Sequence, residues 1–125
     1  MIKVGSIVIR VKDLPRQLEF WMAALDYLPR DPGEPEGNVV LRPRSGPGPN
    51  IDLDTARSEL QIPPRIHLDL YAADQPAEVA RLKSLGATEV HWDKMPADAD
   101  FTILADPEGN RFCVIDKSNP RTEWG

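Results

Sequence analysis

Residues Ser6–Val11 alternate in polarity, with Ile7, Ile9 and Val11 on one face and Ser6, Val8 and Arg10 on the other. A repeat of two predicts a half-buried strand. Asp13 can cap a helix, and Pro15 suits its first turn. Leu14, Leu18, Trp21, Met22 and Leu25 then recur at helical spacing, so this stripe is expected to face inward. Trp21 and Met22 would also suit a pocket, but their periodicity favours the core. From Pro29 to Pro49 the chain is rich in Pro and Gly. Short strands are expected at Tyr27-Leu28, Asn38–Arg42 and Ile51–Leu53, with a turn at Ser45–Pro49 and a connector from Arg57 to Pro64.

The pattern then restarts. Ile66, Leu68 and Leu70 share one face of a strand, and His67, Asp69 and Tyr71 the other. Asp74 caps a second helix, with Pro76 in its first turn, Val79, Leu82 and Leu85 inward, and Gly86 at its end. A strand is expected at Thr88–Trp92. Two apolar runs, Phe101–Leu104 and Phe112–Ile115, flank the turn residues Asp106-Pro107-Glu108-Gly109-Asn110 and predict a hairpin. Its second strand puts Arg111, Cys113 and Ile115 opposite Phe112 and Val114. The segment 118–125 is a polar tail apart from Trp124.

The two halves repeat with an offset of about 61 residues, which sets Asp13 on Asp74, Pro15 on Pro76, Leu18 on Val79 and Trp21 on Leu82. Each half reads strand, helix, then three strands, with a right-handed crossover expected. The offset also sets Ser6 on His67 and Asp52 on Cys113. The apolar strand faces must lie under the helices. The opposite faces then line a shared concavity with Ser6, Arg10, Asp52, Asp54, His67, Asp69, Tyr71, Arg111 and Cys113, provided each strand keeps its register. Trp92 is a further candidate, for stacking on a ligand or for a rim.

A net charge of −5 and no basic stripe argue against a nucleic-acid partner. No apolar run approaches the roughly 20 residues that span a bilayer, so no membrane role is expected. The start of the chain lacks a signal-peptide core, and a single Cys excludes an internal disulfide, which suits a cytoplasmic protein. At 125 residues, one domain is expected, with modules at about 1–56 and 65–117.

Three stretches, SIVIRVKDLPRQLEFWMAALDY, RIHLDLYAAD and DPEGNRFCVID, together resemble the vicinal oxygen chelate superfamily. This is the group of glyoxalase I, bleomycin and fosfomycin resistance proteins and extradiol dioxygenases, and the closest likeness is to small bacterial glyoxalase-like domain proteins. The resemblance implies an α+β fold of two tandem βαβββ modules. They would form a cup-shaped, partly open barrel with the helices on its outer face. It also implies a homodimer. In the enzymes a divalent metal sits at the base of the cup, and the ligand positions carry over to Ser6, Asp52, His67 and Cys113. Only His67 matches the usual ligand types well; Ser6 is a weak ligand, and Cys113 stands where glutamate is usual.

Asp52, His67 and Cys113 are the candidate metal donors, suited to zinc. Alternatively, Cys113 is a small buried hydrophobe and His67 a hydrogen-bonded pocket residue. Asp52, Asp54 and Asp69 either make the cup acidic and favour a cationic ligand, or are balanced by Arg10 and Arg111. The favoured expectation is a protein that binds a small organic molecule without the full metal site and without a cofactor. The alternative is a lyase, isomerase or hydrolase that depends on a divalent ion (zinc, nickel or manganese), with His67 and Asp52 or Asp69 as catalytic candidates.

Overall fold

The computed structural model describes residues 1–56 and 66–118. The connector at Arg57–Pro64 and the tail residue Trp124 lie outside the described residues. The chain divides into two compact units, Met1–Gln61 and Ile62–Gly125.

The first unit runs β1 (Ile7–Arg10), α1 (Leu14–Leu25), β2 (Tyr27–Pro29), β3 (Asn38–Pro43) and β4 (Ile51–Asp54). Its sheet has the order β1-β4-β3-β2. β1 lies parallel to β4, with Ile7 opposite Ile51, and the other pairings are antiparallel. The Asp13 carboxylate accepts from the Arg16 N–H at 3.2 Å and caps α1, as its sequence position predicts. The helix ends on Asp26, whose φ of 56° lies in the left-handed region.

The buried face of α1 is rotated from the expected stripe. Leu14 and Trp21 are buried, but Gln17, Phe20 and Ala24 join them, while Leu18, Met22 and Leu25 are only half-buried. Phe20 and Trp21 meet edge to face with ring centres 5.0 Å apart. Burying both rings together outweighs the aliphatic line that the spacing suggested. Leu41, Ile51 and Leu53 complete this core. Alternation turns Val8, Arg10, Asn38, Asp52 and Asp54 to the face away from the helix.

The second unit repeats the plan as β5 (Leu68–Ala72), α2 (Gln75–Leu85), β6 (Thr88–Glu89), β7 (Phe101–Ala105) and β8 (Arg111–Asp116), in the order β5-β8-β7-β6. The two sheets and two helices make the mixed α+β, twice-βαβββ architecture expected from the repeat. Asp74 caps α2 by accepting from the Ala77 N–H at 3.2 Å. Leu82 is buried, while Val79 and Leu85 are half-buried. Ile66 was expected on the covered face of a strand, but it precedes β5 and is 81% exposed. The strand can start only where β8 offers a partner, and that pairing begins at Leu68 opposite Phe112.

The strand expected at Thr88–Trp92 ends at Glu89. One further bond, from the Val90 N–H to the Ile103 carbonyl at 2.9 Å, precedes the point where the chain leaves the sheet. The offset of the repeat also slips. Ile51 and Phe112 are 61 positions apart, but their partners Leu41 and Leu104 are 63 apart. The loop between β3 and β4 is longer than the one between β7 and β8 and absorbs the difference.

The β7–β8 loop is locked by Asp106, which is 2% exposed. Its carboxylate accepts from the Glu108 and Asn110 N–H groups, both at 2.9 Å, and from Asn110 Nδ2 at 2.8 Å. Gly109 supplies the φ of +90° that closes the reversal. The turn motif is therefore structural.

Among the described residues, no helix is long and apolar enough to cross a membrane. Trp21→Ala is expected to cost about 3–5 kcal/mol in urea unfolding, and Met22→Ala clearly less. The reverse order would return the buried stripe to the one first read from spacing.

Candidate ligand and metal site on the second sheet

The parallel register of β5 and β8 sets Asp69 directly opposite Cys113 and Tyr71 opposite Ile115. Phe112 and Val114 point the other way and are 1% exposed, and Leu82 of α2 is buried with them. The helix α2 thus covers the Phe112 side and leaves the Asp69–Cys113 face uncovered by itself. His67, one residue before β5, joins that face through its side chain. Its Nε2 lies 3.1 Å from Asp69 Oδ1.

His67, Asp69 and Cys113 each bring a donor atom within 4.8 Å of the others. No other three His, Cys, Asp or Glu side chains gather in this way among the described residues. The His67 and Asp69 side chains are half exposed, and Cys113 is half-buried. Burial pushes the Cys113 thiol up from its ordinary pKa, and the neighbouring Asp69 charge pushes it further in the same direction. Without a bound cation this cysteine is a neutral thiol near neutral pH, unlike an activated nucleophile.

Tyr71 is 40% exposed. The Lys117 ammonium sits 4.6 Å from the centre of its ring. Sequence reasoning missed Lys117, although the alternation Arg111, Cys113, Ile115 extends to it. Its N–H bonds the Ala72 carbonyl at 2.8 Å and continues the ladder. Arg111 is exposed at the start of β8.

The first unit keeps its own candidates. Asp52 accepts a hydrogen bond from Asn38 Nδ2 at 3.0 Å, and Asp54 pairs with Arg10 at 2.8 Å. Ser6 is half-buried just before β1. Within the second unit, the carboxylate beside His67 and Cys113 is that of Asp69. Trp92, expected on a strand, lies beyond β6 and is 43% exposed. Its carbonyl accepts from the Met95 N–H at 3.1 Å in a turn. The Pro-rich stretch from Pro29 to Val40 lines an opening of about 460 Å³, with Arg30, Asp31, Glu34 and Val40 among its lining residues.

A family model for a glyoxalase-like domain matches residues 6–115. The chain belongs to this family. Solved structures extend the likeness to the glyoxalase/bleomycin resistance/dioxygenase superfamily. A family enzyme from Burkholderia phytofirmans superposes with a TM-score of 0.70 at 14% identity, over 92% of this chain and 98% of that one. TnmS3, an antibiotic binding protein from a Streptomyces species, gives 0.64 at 21% identity, over 93% and 96%. A mutant of the fosfomycin resistance protein FosX from Listeria monocytogenes, complexed with Mn(II) and dihydroxypropylphosphonic acid, gives 0.68 at 17%, over 92% and 90%. At these identities the likeness shows the fold alone. No curated protein matches the chain.

The donor set tests which ion this chain suits. Manganese favours oxygen-rich octahedral surroundings, and a thiolate is a poor match for it. One imidazole, one carboxylate and one thiolate match zinc, which takes N, O and S ligands together. For the free protein, the pH dependence of Cys113 alkylation by iodoacetamide should give an apparent pKa above that of an ordinary thiol, and Asp69→Asn should lower it. An apparent pKa at or below the ordinary value would contradict the burial described.

Proposed function

We propose that this chain binds a small organic molecule against the face of the second sheet opposite α2, without the four-donor metal site that the resemblance implies. The observation that carries this reading is the make-up of that face. It combines a carboxylate, an imidazole, an aromatic ring and a thiol, all partly accessible. Such a mixture offers directional hydrogen bonds beside an apolar platform, which is what a small-molecule site needs. Of the four positions carried over from the family, Ser6 is a neutral hydroxyl and Asp52 is engaged by Asn38. The net charge of −5 favours a cationic ligand. Lys117 over Tyr71 marks the kind of contact an organic ammonium would make with the ring. An antibiotic binding protein and a fosfomycin resistance protein share the fold, which supports a ligand of that size. The reading extends to a cytoplasmic homodimer, on the strength of the family resemblance and the single thiol.

One observation favours a second reading, a divalent-metal-dependent lyase, isomerase or hydrolase: the three-donor cluster itself. In that case His67 acts with Asp52 or with Asp69, the latter lying beside it in the second unit. His67→Ala would then abolish turnover.

A thermal-shift screen of aromatic and cationic small molecules tests the leading reading. A ligand at 100 times its Kd stabilises by about 2.7 kcal/mol, enough for a clear rise in Tm. Asp69→Asn and Tyr71→Ala should each weaken binding of a hit at least tenfold while leaving the ligand-free Tm nearly unchanged. A panel without hits, or hits indifferent to both substitutions, would contradict it.

A further inference from the structure

We infer that Lys117 sets the ligand class of the second sheet: its ammonium occupies the face of the Tyr71 ring in the free protein, and the quaternary ammonium group of a ligand takes its place. The inference rests on the binding reading and deepens it, by naming the ligand's charged group and the side chain that it displaces. Three observations carry it. Tyr71 is 40% exposed, so a ligand can reach its ring. Lys117 Nζ lies 4.6 Å from the ring centre, inside the roughly 6 Å over which an aromatic face attracts a cation. Lys117 is half-buried, and among the described residues no carboxylate lies at ion-pair distance from its ammonium. In a chain with 20 acidic and 15 basic residues, this lysine rests on a ring rather than on a carboxylate.

The backbone confines the exchange to one side chain. The Lys117 N–H bonds the Ala72 carbonyl at 2.8 Å, so the main chain stays in place when the ammonium leaves. Ile115 is the direct partner of Tyr71 across β5 and β8, and it is half-buried. It offers apolar surface to the methyl groups of a quaternary ammonium. Asp69 lies two residues before Tyr71 on the same face, roughly 7 Å along the strand, and its charge favours a cation there. The lysine ammonium is compact and strongly hydrated, on a flexible stem. Leaving the ring restores its hydration, so its displacement costs little. A quaternary ammonium has no N–H group to keep in water, and aromatic faces recognise such groups. A primary ammonium gains only what Lys117 gives up. The Tyr71 seat therefore selects a fixed, weakly hydrated cation.

The test is a nuclear magnetic resonance titration of the full chain. The probes are choline and its neutral isostere, in which a tert-butyl group replaces the trimethylammonium. In the free protein the ring should shield the ε-methylene protons of one lysine, a signal that Lys117→Met removes and Tyr71→Leu returns to the position of an exposed lysine. Choline should move this signal to that same position, and the isostere should not. A ring–cation contact at an exposed site is worth a factor of roughly two to five. Lys117→Met should therefore tighten choline about two- to fivefold and leave the isostere unchanged, with the circular dichroism of the parent. Absence of the shielded signal, choline binding that leaves Lys117 on the ring, or weaker choline binding in Lys117→Met would each overturn the inference. So would failure of choline to bind both the parent and Lys117→Met. Choline that perturbs Asp69 and Cys113 while Lys117 stays on the ring would overturn the displacement alone and support the binding reading, which otherwise stands or falls on its own screen.

Discussion

The parallel pairing of β5 with β8 is the constraint on which the rest of the site depends. It sends Phe112 and Val114 to the side of α2, where burial of apolar area holds them. The same alternation sends Asp69 and Cys113 to the opposite face as direct neighbours. A slip of one residue in β5 would bury the Asp69 carboxylate against the helix, and one in β8 would expose Phe112. The cost of that exchange, rather than any attraction between the polar groups, keeps the donors together.

The first module obeys the same geometry with different chemistry. β1 and β4 pair in parallel as β5 and β8 do, and Asp52 occupies the strand position that Cys113 has in the second. Its polar face is satisfied internally, with Arg10 on Asp54 and Asn38 on Asp52. The second module instead places an imidazole, a carboxylate and a thiol side by side. The duplication conserves the apolar faces because packing requires them, and leaves the polar faces to diverge.

Much of this was readable in the sequence where the determinants are local. The caps Asp13 and Asp74, the alternating strands and the Asp106–Asn110 turn depend on neighbours a few residues away. What was not readable depends on partners. Ile66 alternates properly but has no strand beside it. The Thr88–Trp92 run ends where β7 stops pairing. The helical spacing of Leu18 and Met22 gave no hint that Phe20 would turn the stripe toward itself. Period-2 alternation placed Asp69 and Cys113 on one face, but only the register, across 44 positions of sequence, puts them opposite each other.

The most direct measurement of this arrangement is the rate of Cys113 alkylation with and without a small-molecule ligand found by thermal shift. The account predicts that saturating ligand slows the reaction, because Cys113 shares one face of the second sheet with Asp69. An unchanged rate would contradict it, because the ligand would then lie away from the face that this register defines.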